Sequence, residues 1–272
     1  MIRLAVRVEP AAAETVLAEL LELAPGGLEE RELDGAVEYV LYGAPGELPA
    51  LPDLQAAAGD ALVEVSSSQV PDDWSERWKA FHRPVDVSAG SHRLRVRPPW
   101  EAPLGGGGVE LVIDPGQAFG TGGHRTTRLC LELLLELEPD GALADWGCGS
   151  GVLAIAAARL GWGPVLACDS DAAAVEAARA NAIVNGVPEI AVERLDLRRA
   201  EGSWAPTVVA NLVRPLLLEV AASMTHPPRR LIASGLLREE AGEVAAAFAR
   251  HGLREAGGRH AGEWTALLLT TG

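Results

Sequence analysis

The sequence predicts an α/β protein whose main domain is an open, mostly parallel sheet, with a smaller α+β domain in front of it. Three observations favour this fold: a strand-turn-helix pattern around a glycine-rich turn at 147–151, a second strand that ends in Asp169, and an alternation of strands and helices from there onward. Such alternation is typical of a parallel sheet with helices on both faces. We therefore predict a Rossmann-like sheet domain preceded by a small ferredoxin-like α+β domain.

The glycine-rich turn is made by Gly147, Gly149 and Gly151, between a short buried strand and an apolar helix over residues 152–160. Glycines permit a sharp turn, and the helix presents its N-terminal amides to a ligand there. The spacing G-x-G-x-G is neither the dinucleotide nor the phosphate-loop pattern. Asp145 opens the turn and no lysine lies near it, which disfavours phosphate and suits a cationic ligand. A structural turn without a ligand is the alternative.

The next strand, residues 164–168, supports a nucleoside ligand. It ends in Asp169, and a carboxylate roughly 20 residues past a glycine turn is placed to accept ribose hydroxyls. Asp171 is the predicted N-cap of a helix over residues 172–185, and Gly186 is predicted to end that helix in the left-handed conformation. Asp169 is therefore the predicted ribose ligand.

Five further strands complete the predicted sheet. They cover residues 190–195, 207–211, 230–234, 253–256 and 264–270, with helices over 215–224 and 238–251. Because no helix separates the last two strands, we expect them to pair antiparallel in a seven-stranded sheet. Asn211 ends one strand and should lie at the ligand crevice, since carboxyl ends of strands form that crevice. Asp196 is either an adenine contact or an ordinary turn carboxylate.

Residues 1–68 are predicted to form the ferredoxin-like domain, from the order strand, helix, hairpin, helix, strand. Nothing in this domain looks catalytic, so it either holds a substrate protein or is a simple accessory domain. The predicted elements are strand 2–8, helix 11–23, a hairpin of 28–33 and 36–42, helix 51–58 and strand 62–65.

Residues 69–86 are predicted to be a linker helix, and residues 87–272 the sheet domain. Trp74, Trp78 and Phe81 fall at i, i+4 and i+7 on one helical face, which is more typical of packing than of a ligand site. Proline and glycine breaks around this helix lead to the hypothesis that the connector is flexible and reorients the N-terminal domain.

Composition restricts the partners that we expect. The 272 residues carry a formal net charge of −15, which disfavours direct nucleic-acid binding and favours a basic protein partner, or serves solubility alone. The three cysteines and six histidines show no metal-ligand spacing, so we expect no metal. No signal peptide and no apolar run of about 18 residues are evident. We expect a cytoplasmic monomer that does not bind membranes.

A second glycine-rich stretch carries a specific resemblance. Residues 114–127 read D-P-G-Q-A-F-G-T-G-G-H-R-T-T, before a helix over 128–137 that Thr126 or Thr127 is expected to cap. With D-W-G-C-G-S-G at 145–151, this stretch resembles the PrmA family, bacterial class I methyltransferases that use S-adenosylmethionine to methylate ribosomal protein L11. The tryptophan-rich linker also resembles that family, whereas the first sixty residues match by architecture only.

The resemblance implies a fold, a reaction and a set of site residues. It implies that the N-terminal domain grips the ribosomal protein, and that methyl groups go to lysine side chains, to the N-terminal α-amine, or to both. The family's T-H-P-T-T is G-H-R-T-T at 123–127, and its I-L-A-x-P is L-V-R-P at 212–215; both departures bear on the target more than on the reaction. The residues that the resemblance assigns to S-adenosylmethionine are Thr126, Gly147, Asp169 and Asn211, with Phe119 and Gly149 lining the same pocket.

Methyl transfer from a sulfonium is an in-line displacement, so the protein mainly positions a neutral nucleophile and needs no covalent residue. Deprotonating a lysine amine at neutral pH costs about 4 kcal/mol, and an α-amine about 1 kcal/mol. Asn211 is the predicted catalytic residue, as a polar acceptor for that amine; a role for His124 stays open. The alternative functions are lysine methylation of another protein and a non-catalytic S-adenosylmethionine-binding module.

Overall fold

The computed structural model describes residues 2–13, 16–17, 19–20, 28–33, 35–43, 48–49, 51–69, 83–103, 108–115, 122–199 and 205–272. The chain divides into two compact units, Met1–Ala80 and Phe81–Gly272. Most of the predicted linker, with Trp74, Trp78 and Phe81, lies outside the described residues. The linker helix, its flexibility and the domain boundaries therefore stay predictions.

The first unit is built on a four-stranded antiparallel sheet in the order β2-β3-β1-β4. Its apolar side chains form one cluster that includes Val6, Tyr39 and Leu54, beneath a helix that precedes the last strand. This strand order is the one that the predicted ferredoxin-like arrangement requires. Its elements are β1 (Ile2–Val8), β2 (Glu29–Leu33), β3 (Ala36–Gly43), α1 (Leu51–Ala58) and β4 (Leu62–Gln69), and of the predicted helix 11–23 only some residues are described.

The second unit begins with a three-stranded sheet that the sequence only partly indicated. Its strands are β5 (Val85–Ala89), β6 (His92–Arg97) and β7 (Val109–Val112). β5 and β6 form an antiparallel hairpin, and β7 lies parallel to β6. Val87, Leu94 and Leu111 join the main apolar core, so this small sheet is part of the second unit's packing.

The main sheet has seven strands in the order β10-β9-β8-β11-β12-β14-β13. The first five in this order are parallel. The β14–β13 pair is antiparallel, as predicted, and β14 also lies antiparallel to β12. The strand order reverses between β8 and β11, so the loops after these two strands open beside each other. The strands are β8 (Leu143–Trp146), β9 (Val165–Asp169), β10 (Ala191–Arg194), β11 (Thr207–Asn211), β12 (Arg230–Leu237), β13 (Leu253–Ala261) and β14 (Trp264–Thr271).

Helices cover both faces of this sheet because successive strand residues point to opposite sides. In β11, Val208 and Ala210 belong to one apolar cluster, while Val209 belongs to the other. The apolar residues of each helix pack onto one of these faces. The helices are α2 (Arg125–Glu136), α3 (Val152–Leu160), α4 (Ala172–Val184), α5 (Arg214–Ser223) and α6 (Ala241–Ala249).

The predicted elements of the second unit are confirmed apart from their ends. Strand β12 continues to Leu237 and β13 to Ala261, beyond the predicted residues 234 and 256. The added β13 residues include glycines and charged side chains, which hide the apolar pattern, yet their backbones pair with β14 along the whole strand. Cross-strand pairing therefore decides these boundaries, because it does not depend on side-chain hydrophobicity.

Candidate active site

The glycine turn lies at the carboxyl end of β8. Gly147, Gly149 and Gly151 all have positive φ, of 72°, 52° and 81°, which side chains disfavour. The backbone amides of Gly147 and Cys148 both donate to the Cys168 carbonyl at 2.9 Å, so the neighbouring strand β9 holds the turn. The turn is therefore rigid bare backbone at the switch point of the sheet.

Gly147 also packs against the residue that follows β11. An ideal Cβ at this position would lie 2.4 Å from Leu212 Cδ2, so the end of the leucine side chain would have to move. Leu212 directly follows Asn211 at the end of β11, so the loops after β8 and β11 meet here.

Asp169 contacts the glycine turn directly. Its Oδ2 accepts from the Gly149 amide at 2.9 Å, and its Oδ1 accepts from the Asp171 amide at 3.0 Å. Each carboxylate oxygen keeps a further lone pair, so the group can still accept hydroxyl donors. Two predicted cofactor residues, Gly149 and Asp169, are thus brought together, and backbone amides fix the carboxylate.

The sequence suggested that Asp145 lies at the opening of the turn, accessible to a cationic ligand, but the structure buries its side chain. It is 1% exposed, and its Oδ2 accepts from the Ala154 amide at 3.0 Å. Burial, with a smaller contribution from the charge of Asp169, raises the pKa of this carboxyl to about 7 despite the hydrogen bond from the Ala154 amide. Its Oδ1 is buried with no hydrogen-bond partner within the described ranges. A buried, unpartnered carboxylate oxygen beneath the turn fits a cationic ligand such as S-adenosylmethionine.

Helix α2 is capped by His124, so the predicted cap at Thr126 or Thr127 is wrong. His124 has extended backbone and its Nδ1 accepts from the Thr126 amide at 3.3 Å. Thr126 and Thr127 lie inside the first turn and are 2% and 1% exposed. An imidazole nitrogen can accept as an asparagine oxygen does, which frees both threonine side chains to face the sheet.

The side chain of His124 has several fixed neighbours. Its Nδ1 lies 2.7 Å from Thr126 Oγ1, and its ring packs edge-on against Trp264 with centroids 5.2 Å apart. Burial lowers the pKa of this imidazole, and the charge of Arg125 lowers it further. His124 is therefore neutral at pH 7 and orders the Thr126 hydroxyl.

Asn211 lies at the end of β11, where the sequence placed it. Its Nδ2 donates to Thr127 Oγ1 at 3.2 Å, so it contacts the residue that follows the predicted cofactor residue Thr126. Ser234 on β12 donates to the Thr126 carbonyl at 3.2 Å, which ties α2 to the sheet. Phe119 lies outside the described residues, and its role stays a prediction.

Leu212 and Gly235 are site residues that sequence reasoning missed. An ideal Cβ on Gly235 would lie 2.4 Å from the Leu212 carbonyl oxygen, and the Leu212 amide donates to the Ser234 carbonyl at 3.0 Å. This contact seats Leu212 against Gly147. A lone glycine within an apolar strand pattern signals a close backbone approach, and Gly235 carried that signal.

Other kinds of site receive no support from the described part of the chain. It contains no group of three or more histidine, cysteine, aspartate or glutamate side chains that could hold a metal ion. Burial raises the pKa of the Cys130 and Cys168 thiols to about 12, so neither is a reactive thiolate at neutral pH. None of the described helices has the length and apolar character needed to span a membrane.

Comparisons with known proteins agree with this geometry. The family model for ribosomal protein L11 methyltransferase (PrmA) matches residues 51–271. A ribosomal protein L11 methyltransferase of Myxococcus xanthus is 37% identical over 98% of this chain and 97% of its own length. One from Pelotomaculum thermopropionicum is 42% identical over 77% of this chain and 69% of its own length.

A solved structure gives the same result for the fold. The crystal structure of a ribosomal protein L11 methylase from Lactobacillus delbrueckii subsp. bulgaricus is similar with a TM-score of 0.60 and 30% identity. The similarity covers 68% of this chain and 98% of that one. On these matches and on a glycine turn suited to S-adenosylmethionine, the chain belongs to the PrmA family of methyltransferases.

Proposed function

We propose that this protein transfers methyl groups from S-adenosylmethionine to amino groups of ribosomal protein L11. The acceptors are lysine side chains, the N-terminal α-amine, or both. The main support is the near full-length match, at 37% identity, to a relative named for that activity. That match includes the first unit, which would hold the acceptor protein. A ribosomal acceptor implies action in the cytoplasm, where ribosomes assemble.

The cofactor site that we propose lies along the carboxyl ends of β8, β9 and β11. Asp169 would accept the ribose hydroxyls, and its two bonds to backbone amides support this role by fixing the carboxylate. Gly147 and Gly149 would offer bare backbone, and the unpartnered Asp145 oxygen would face the positive end of the cofactor. Thr126, Asn211 and Phe119 would complete the pocket.

Asn211 is the proposed catalytic residue because of how its amide is held. S-adenosylmethionine supplies a methyl group that is already activated on a sulfonium. The Asn211 Nδ2 donates to Thr127, which leaves Oδ1 free to accept a hydrogen bond. An acceptor amine that donates to Oδ1 would have its lone pair oriented for in-line attack. Asn211 would therefore align the amine, and the reaction needs no covalent residue.

The chain's negative charge supports a basic protein acceptor. The formal net charge is −15, with 38 acidic against 23 basic residues. Such a surface attracts a basic protein over long range and repels phosphate backbones. A ribosomal protein that is free of RNA fits both properties.

The direct test is methyl transfer with purified components. The protein is incubated with radiolabelled S-adenosylmethionine and purified L11, with a different basic ribosomal protein as control, and mass spectrometry then locates the methyl groups. We expect label on L11 amines and not on the control. Label on other proteins of a cell extract but not on L11 would favour another target. Binding of S-adenosylmethionine without turnover on any extract would favour a non-catalytic module.

A further inference from the structure

Helix α4 carries a buried asparagine that links the two glycine-rich segments. Asn181 is 3% exposed. Its Nδ2 donates to the Ser150 carbonyl in the glycine turn at 2.9 Å, and its Oδ1 accepts from the Asp114 amide at 3.0 Å. Asp114 is the first residue of the D-P-G-Q-A-F-G-T-G segment. One carboxamide therefore joins the turn after β8 to the start of the loop after β7.

The glycine turn approaches α4 closely at this point. An ideal Cβ on Gly151 would lie 3.0 Å from Ala178 Cβ and 3.1 Å from Ala178 Cα. Ala178 and Asn181 are three residues apart, so they share one face of the helix. A glycine and an alanine allow the contact, and Asn181 then reaches both segments from the next turn of the helix.

We propose that Asn181 is a positioning residue for cofactor binding, because it sets the separation of the two segments that carry proposed cofactor ligands. This inference rests on the cofactor site proposed above. The glycine turn carries Gly147 and Gly149, and the loop that begins at Asp114 carries Phe119. Helix α4 itself begins three residues after Asp169. One helix thus contacts both the glycine turn and the Asp114 amide, and it begins close in the chain to the ribose carboxylate.

The bonding pattern requires asparagine at position 181. Its side chain donates at one end and accepts at the other, and both partners are backbone groups with fixed polarity. An aspartate carboxylate would still accept from the Asp114 amide but could not donate to Ser150. At 3% exposure, water does not readily replace the lost donor, and a carboxylate oxygen would then face the Ser150 carbonyl oxygen, which is unfavourable.

Asn185 provides a matched control on the same helix. It is 6% exposed, its Oδ1 accepts from the Val112 amide at 2.8 Å, and its Nδ2 donates to the Val112 carbonyl at 2.7 Å. Its Nδ2 also donates to the Asn181 carbonyl at 2.8 Å. Asn185 is thus a buried asparagine that ties α4 to β7, and none of these bonds involves the glycine turn. A residue that only stabilises the fold would behave as Asn185 does.

The test compares Asn181→Asp and Asn181→Ser with Asn185→Asp and Asn185→Ser in the full-length protein. Calorimetric titration with S-adenosylhomocysteine measures affinity, thermal unfolding measures stability, and KM is measured for S-adenosylmethionine and for L11. We expect the Asn181 variants to bind S-adenosylhomocysteine at least about 10-fold more weakly than the unmodified protein. Their KM for S-adenosylmethionine should rise in parallel, while their KM for L11 should not change. The Asn185 variants should lose similar stability and keep their affinity within about 3-fold.

Hydrogen exchange of the unmodified protein gives a second measurement, independent of whether any variant folds. On binding S-adenosylhomocysteine, the Asp114 amide should gain protection together with the glycine turn. Failure of the unmodified protein to bind S-adenosylhomocysteine would contradict the proposed function itself. If it binds, the positioning role is overturned by Asn181 variants that match the Asn185 variants in affinity, or by an Asp114 amide whose exchange does not change.

Discussion

At the scale of single residues, the site depends on side chains whose polar atoms are already held by the protein. Asn211 donates to Thr127, His124 accepts from the Thr126 amide, and Asp169 accepts from the Gly149 and Asp171 amides. Groups that are held in this way lose little freedom when a ligand arrives. Substitutions that release them should therefore affect binding or turnover more than stability.

Replacing Asn211 tests the proposed acceptor. Asn211→Ala removes Oδ1, and we expect kcat for methylation of L11 to fall about 10–100-fold, since a hydrogen bond that orients the amine is lost. Thr127→Val keeps the shape of a buried side chain but releases the Asn211 amide, and it should cause a smaller loss. Steady-state kinetics at saturating S-adenosylmethionine measures both. An Asn211→Ala variant with unchanged kcat would remove Asn211 from the chemistry.

Replacing Asp169 tests the proposed ribose contact. Asp169→Ala removes the carboxylate and the acceptor of the Gly149 amide, so affinity for S-adenosylhomocysteine should fall by about 1–3 kcal/mol. Asp171→Asn is the control, because asparagine caps a helix as well as aspartate does. Calorimetric titration measures the affinity of both variants for S-adenosylhomocysteine. An Asp169→Ala variant that binds as tightly as the Asp171→Asn variant would exclude Asp169 from the site.

The buried carboxyl of Asp145 predicts a pH dependence of stability. Burial raises its pKa to about 7, from about 3.9 in the unfolded chain, so the folded state holds the proton more tightly. Its favourable contribution is complete below pH ~4 and is lost as the pH rises to ~7. Asp145→Asn keeps an acceptor for the Ala154 amide and carries no charge. Its melting temperature relative to the unmodified protein should rise between pH 5 and about 7 and level off above that.

Two further results bear on Asp145. If the difference in melting temperature between Asp145→Asn and the unmodified protein stayed constant from pH 5 to about 8, the carboxyl would not titrate in this range. Asp145→Asn should also bind S-adenosylhomocysteine and S-adenosylmethionine more weakly at pH 8, because the variant lacks the negative charge that we propose to face the cationic end of the ligand. Greater stability together with weaker binding is the expected result of replacing a carboxyl group that is kept buried because it serves binding.

At the scale of elements, helix ends and strand ends are where sequence and structure differ. Helix α2 begins at Arg125 behind a histidine cap, although threonines are the usual caps and two of them follow. The threonines face the buried side, so the tertiary environment overrides the local preference. Strand β13 extends past its apolar residues for a related reason, because pairing with β14 supplies its hydrogen bonds.

The cap of α2 can be tested with two variants of one residue. His124→Ala removes the acceptor of the Thr126 amide, and we expect the free energy of unfolding to fall by about 0.5–2 kcal/mol. His124→Asn restores an acceptor and should recover most of that loss, apart from the ring contact with Trp264. Urea unfolding monitored by circular dichroism measures both. A loss in His124→Asn as large as in His124→Ala would show that ring packing, not capping, is the main contribution.

At the scale of the whole molecule, the excess of acidic residues predicts how acceptor and cofactor respond to salt. Long-range attraction of a basic protein is screened by ions, while a buried cofactor site is screened much less. Raising NaCl from about 50 to about 500 mM should increase the KM for L11 about 3–10-fold and change the KM for S-adenosylmethionine little. Equal changes in both constants would indicate that charge does not guide the acceptor.

The topology of the sheet explains why distant sequence segments meet at one site. Strands β8 and β11 are neighbours, with Val209 opposite Asp145 in a parallel register. In the chain, the helices α3 and α4 and the strands β9 and β10 lie between them. The strand order reverses between them, so their loops form the crevice. Leu212 reaches Gly147 only because of this adjacency.

The sequence by itself determined the fold class, the seven strands with an antiparallel final pair, and the glycine turn and carboxylate on which the cofactor site is proposed. It could do so because apolar periodicity, the glycine turn and the carboxylate of Asp169 are local patterns, each readable within about 30 residues. Only the tertiary structure decided that Asp145 is buried, that His124 caps α2, that Leu212 closes on Gly147, and that Asn181 joins two segments. Those facts depend on contacts between segments far apart in the chain, and burial and hydrogen bonding exist only once the segments pack together.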